Sequence, residues 1–377
     1  MNTDAQGDGR HSAAAGEPPP AGPCSRALWR GVIAVSLLGT IAAGVWMRWA
    51  MTGATTLPVP FDHLRHAHSH LGYFGLLFPL AWIGWRGAGA RVPGAAALVA
   101  YALCTAVASV GFVRSGYGVV AIAGCTLVSG FWLWSAAALV GRMPRLQDPL
   151  GAVPLGVVAS LACVPPIALF LRSDPALAHG FVATFLSGLL LVVIVPSTLA
   201  GCRISAGPWP FLLVAGCLGA LHLGVAPHPV TQVGLFAYAG LLLAPVLAKQ
   251  LPAHARVVWA LVAAGLAAMA IGLIPPTRAV GLGAIHFLIL GPVMATLAPR
   301  WMRRPPPAWA WWCGHATWGF MSAALVAQGF VPAPWTWTAA AIGGTAAALW
   351  WAVVLASQVS HPWRVAATQT GSRTTDR

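Results

Sequence analysis

The chain has 377 residues, 58% of them hydrophobic and 7% charged, with a formal net charge of +14. So few charges cannot cover a soluble protein of this length, which makes lipid the solvent for most of the chain. The basic residues are spread over many short connections and form no run or groove-sized patch, which argues against a nucleic-acid partner and for topology signals.

Residues 1–27, MNTDAQGDGRHSAAAGEPPPAGPCSRA, are polar, rich in Pro, Gly and Ala, and without apolar periodicity, so they read as a disordered tail. They lack the apolar core of a cleavable signal peptide, and no apolar run precedes Cys24 to make it a lipid-attachment site. From 28 to 358 the chain breaks at charge and Pro/Gly clusters into about twelve stretches of roughly the 20 apolar residues that cross a bilayer. They lie near 28–49, 64–85, 94–113, 117–140, 151–171, 177–199, 208–225, 231–249, 256–274, 279–298, 308–328 and 334–357. The expected fold class is all-α, a polytopic membrane helix bundle without a soluble domain, ending in a tail over 359–377. The seven cysteines are scattered, mostly in apolar segments, with no CxxC pair, and read as small hydrophobes.

With twelve spans, the termini share a side with the loops that follow even-numbered helices. Sixteen of the 21 Arg and Lys fall on that side, while only Arg48, Arg65, Arg114, Arg172 and Arg278 fall on the other. The positive-inside rule then predicts cytoplasmic termini and a multi-pass protein of the inner membrane.

Helix 2 opens on the outer side with FDHLRHAHSHLGYFG, residues 61–75, which holds four of the chain's twelve histidines. His63, His66 and His70 are spaced i, i+3, i+7 and share a face continued by Tyr73, whereas His68 lies on a stripe with Gly72 and Gly75. Those glycines leave room either for a flat macrocycle or for a close helix neighbour. Helix 6 opens with RSDPALAHGF, where Ser173 or Asp174 is a cap, Pro175 sits in the first turn and His179 lies about one turn inside. Helix 7 carries His222 near its outer end, and helix 10 carries His286 between one and two turns deep. Each histidine alone fits a polar helix end. Four helices that are not neighbours in sequence, all placing histidine in one shallow outer layer, point to metal or heme ligation. His228 reads as a loop residue, His315 as a packed or interfacial residue near the inner side, and His11, His254 and His361 carry no signal.

Only seven Asp and Glu occur, none inside a predicted span, so no carboxylate relay exists for proton-coupled transport. Asp62 and Asp174 sit at outer helix starts, as caps or as partners of the histidines. Tyr73 and Tyr238 are polar groups available either to a site or to ordinary membrane packing.

Twelve helices with outer-side histidines on helices 2, 6, 7 and 10 resemble the catalytic subunit of heme–copper oxidases and nitric oxide reductases. AHGFVATFLSG and IHFLILGPVMATLAP are similar to the histidine-bearing helices of the NnrS family of heme- and copper-containing membrane proteins. The resemblance implies a b-type heme held by His70 or His66, with His68 as rival, and by His286. It implies copper, or another second metal, at His179 and His222. This chain departs from the family in having one histidine on helix 10, no adjacent His–His pair on helix 7 and none of the proton-channel acids. The implied activity is uncoupled oxidoreductase or binding chemistry on O2 or NO, with an unidentified electron donor at the outer face and membrane lipids as surroundings. Two other classes compete: a multi-pass transporter of a small or lipidic solute, and a non-catalytic assembly subunit.

Overall fold

A computed structural model describes residues 23–143, 148–204, 207–223, 228–275 and 277–359. Both predicted tails lie almost wholly outside the described residues, as do His11 and His361. The described chain forms twelve helical rods and, among those residues, no strand. They are α1 (Pro23–Met51), α2 (61–87), α3 (Ala95–Ser115), α4 (Val119–Ala137), α5 (Pro149–Ser173), α6 (Pro175–Thr198), α7 (Trp209–His222), α8 (His228–Leu247), α9 (Ala253–Ala270), α10 (Arg278–Trp301), α11 (Ala308–Gln328) and α12 (Pro334–Val359). The all-α bundle expected from the sequence is therefore the fold, rod for rod. Nine of the rods are long and apolar enough to cross a membrane.

Rods consecutive in sequence pack on one another, and α1 packs on α12 to close the series. Nine rods form an outer wall. Their outward faces carry large apolar side chains such as Leu103, Val107, Leu213, Val233, Leu349 and Val353, as lipid requires. The other three, α2, α6 and α10, are buried on all sides over their second halves, at 74–82, 192–200 and 290–298. Residues 78–87 of α2 pack against both α6 and α10. Trp85 Nε1 donates to Ser197 Oγ at 2.6 Å, and Arg300 donates to Ala200 O at 3.1 Å.

Each inner rod also carries a π-helical stretch: Leu71–Leu77, Gly188–Ile194 and Ile289–Val293. In α2 and α6 the cause is proline. A helical proline has no N–H and pushes away the carbonyl four residues back, and widening the turn relieves that clash. Pro79 and Pro196 each lie two residues past their π stretch. In the i→i+5 register, Phe74 O would have to accept from Pro79 and Leu191 O from Pro196, neither of which has a proton to give. Tyr101 OH donates to Phe74 O at 2.7 Å and Tyr238 OH donates to Leu191 O at 2.8 Å. The freed carbonyls are thus satisfied from the outer wall, as buried polar groups must be. Tyr238, read from the sequence as a group for a site or for ordinary packing, serves the backbone of α6.

Candidate functional site

α2 approaches α1 closely over its first half because glycine lines the contact. A Cβ on Gly72 would meet Thr40 Cγ2 at 3.3 Å, and one on Gly39 would meet Leu71 Cδ2 at 2.9 Å. Of the two uses open to the stripe beneath His68, Gly72 and Gly75 serve helix packing. Gly75 fits against Ser36 on α1.

This seating turns His68 away from the other three histidines of α2. Its Nδ1 lies 2.8 Å from Thr40 O. A carbonyl oxygen only accepts, so Nδ1 carries the proton and Nε2 presents a lone pair. On α10, His286 Nδ1 lies 2.7 Å from Leu282 O and is fixed in the same tautomer. The two imidazoles face a common region, with ring centres 6.2 Å apart and planes 19° from parallel. No hydrogen bond joins them. Each side chain is half-buried.

Arg48, near the end of α1, borders this pair. A Cβ on Gly44 would lie 2.8 Å from His68 Cε1 and 3.0 Å from Arg48 Nη1, so both side chains fill the space above one glycine. Arg48 is 8% exposed and its Nε has no partner. Among the described residues no carboxylate lies within ion-pairing distance of it. By position Arg48 belongs with the outer-side loop charges, but the bundle turns it inward. The signal in the sequence is Gly44, one turn earlier on the same helical face, which makes the room.

The remaining α2 histidines share a face, as their spacing requires, and that face meets α3. His63 packs on Gly116, with its Nδ1 buried and unpartnered. His66 sits edge-on to Tyr117 at 4.6 Å, and its Nε2 is 3.4 Å from Arg65 Nη2. His70 packs on Phe112 at 4.1 Å, with Nδ1 held 2.9 Å from His66 O. His66 and His70 thus belong to an aromatic cluster with Phe112 and Tyr117, while His68 is the α2 histidine opposite His286.

His179 and His222 are on adjacent rods and both exposed. α6 and α7 touch where Gly180 leaves room for His222 O, 2.6 Å from where its Cβ would be. His222 Nε2 lies 3.3 Å from Ser187 Oγ, two turns along α6 from His179. No hydrogen bond or ring contact among the described residues joins His179 to His222. Asp174 caps α6 by accepting from Leu177 N at 3.0 Å, and Asp62 pairs with Arg65 at 3.0 Å, so neither orients a histidine. Among the described residues no three His, Cys, Asp or Glu side chains gather to hold a metal ion.

Compared with protein-family models, curated proteins and solved structures, the chain matches none.

Proposed function

We propose that the chain is a membrane heme protein in which His68 and His286 hold the iron of a b-type heme from opposite sides. The observation that carries this reading is the geometry of the pair. Two imidazoles sharing one ion through metal–nitrogen bonds of about 2 Å have ring centres roughly 6 Å apart, and these rings are 6.2 Å apart and nearly parallel. Both expose the unprotonated nitrogen that a metal requires, and both hold their tautomer through a backbone carbonyl. The sequence has no CxxCH, so attachment is non-covalent.

Arg48 fits the same ligand. A buried, unpaired guanidinium in an apolar bundle costs several kcal/mol unless an anion meets it. Heme carries two carboxylates, and the described residues offer Arg48 none.

Bound heme supplies one-electron redox chemistry. His68 and His286 would both be occupied in holding the group, and the chemistry it would supply here is electron transfer. The O2 or NO chemistry implied by the family resemblance is not part of this reading, because the His222 ring lies against Ser187, two turns along α6 from His179. The decisive measurement is a reduced-minus-oxidised spectrum of detergent-purified protein. Sharp low-spin bands that vanish in both His68→Ala and His286→Ala are expected. A colourless but folded protein would return the chain to the transport or assembly classes.

A further inference from the structure

A second histidine pair lies at the opposite end of the bundle, contributed by residues whose sequence context gave no sign of a site. His254 is in the first turn of α9 and His315 is two turns into α11, both on the side where the chain termini lie. Their ring centres are 6.0 Å apart, with planes 32° from parallel. His254 lies beside Ala295 O, the carbonyl that Pro299 strips of its helical partner. Its Nε2 is buried and unpartnered. His315 is 7% exposed, and neither of its nitrogens has a partner.

Three buried imidazole nitrogens thus lack partners, and their desolvation goes uncompensated. A single ion between the rings would satisfy one nitrogen on each. The surroundings define that ion. Trp311 stacks on His254 at 5.3 Å and 6°, and Trp318 stands edge-on to His315 at 5.0 Å. No third His, Cys, Asp or Glu joins the pair among the described residues, which leaves a tetrahedral divalent ion such as zinc short of ligands. Two neutral donors also cannot offset a double charge in an apolar interior, where the cost of burial rises with the square of the charge. A monovalent ion that accepts two imidazoles meets each condition.

We infer that His254 and His315 form a two-coordinate site for a soft monovalent metal, Cu(I), walled by Trp311 and Trp318. The site needs no heme, and it stands whether or not His68 and His286 hold one.

The test is anaerobic titration of full-length, detergent-purified protein with Cu(I) against a chromogenic chelator, repeated with Ag(I) as a redox-inert stand-in. One ion per chain is expected, with quenched tryptophan fluorescence and X-ray absorption showing two nitrogen scatterers and no sulfur. His254→Ala and His315→Ala each lose that ion, and His68→Ala keeps it. His315→Phe fills the space without a ligand atom, so loss of the ion at an unchanged Tm separates ligation from folding. Retention of the ion in both His254→Ala and His315→Phe, or three or more donors in the absorption spectrum, would overturn the assignment, as would no uptake by the wild type. Heme spectra of the same samples keep the two sites apart: a colourless chain that takes up Cu(I) rejects only the heme.

Discussion

Arg48 and His68 fill the space above the same glycine: a Cβ on Gly44 would lie 3.0 Å from Nη1 of the first and 2.8 Å from Cε1 of the second. The arginine can swing aside, but His68 is tied to Thr40 O at 2.8 Å and cannot. Gly44→Val is therefore expected to displace the imidazole and deplete heme in the purified protein, measured as the ratio of Soret to protein absorbance. Arg48→Met keeps the side-chain volume and removes the charge. It should leave the low-spin spectrum in place but weaken heme retention by about tenfold or more, since losing one partner of a buried charge pair costs several kcal/mol. Unchanged retention in Arg48→Met would show that the cofactor's carboxylates lie elsewhere.

The histidines of α2 divide by direction, and their variants should divide with them. His68→Ala and His286→Ala are each expected to abolish the low-spin spectrum. Exogenous imidazole should partly restore it by occupying the space left by the ring. His66→Ala and His70→Ala remove contacts with Tyr117 and Phe112 and should lower stability by about 1–3 kcal/mol while leaving the band positions unchanged. A spectrum lost in His70→Ala and kept in His68→Ala would reassign the α2 ligand.

Orientation is a separate prediction. Single cysteines introduced into a cysteine-free background at Thr55, between α1 and α2, and at Gln250, between α8 and α9, lie on opposite faces. In intact cells a membrane-impermeant maleimide is expected to label the first and spare the second, because the arginine-rich face with both termini stays inside. Labelling reversed between the two would invert the topology and place the His68–His286 pair near the cytoplasm.

Rod count and rod limits are legible in this sequence because apolar length and charged or Pro/Gly breaks are local signals. The grouping of His63, His66 and His70 on one face is legible for the same reason, since helical periodicity fixes it. Which face meets which neighbour is not local. His68 is distinguished from His70 by Thr40 and His286, on rods α1 and α10, and Arg48 reads as a loop charge until α12 closes over it. The three inner rods are not legible because their repeat resides in spacing. Pro79, Pro196 and Pro292 each accompany a π stretch on every fourth rod, while the side chains around them differ. The pairing of His254 with His315 is not legible because each is an isolated histidine in the sequence, with its partner on another rod.

The prolines of the inner rods lead to a test that reads the backbone directly. Tyr101 donates to Phe74 O, and Tyr238 to Leu191 O, because five residues further on Pro79 and Pro196 have no proton to donate. Tyr101→Phe keeps the ring and removes the donor, leaving a buried carbonyl unsatisfied at a cost of about 1–3 kcal/mol. The hydroxyl also accepts from Trp132 Nε1 at 3.1 Å, so its loss strands a second group. Pro79→Ala restores an N–H to the helix and gives Phe74 O a backbone partner. In that background Tyr101→Phe should cost measurably less, and the difference in a double-mutant cycle isolates the coupling between hydroxyl and proline. The same cycle with Tyr238→Phe and Pro196→Ala should couple in the same sense. Additive costs in both cycles would mean that the tyrosines act through packing alone, and the explanation of the π stretches by proline would fail with them.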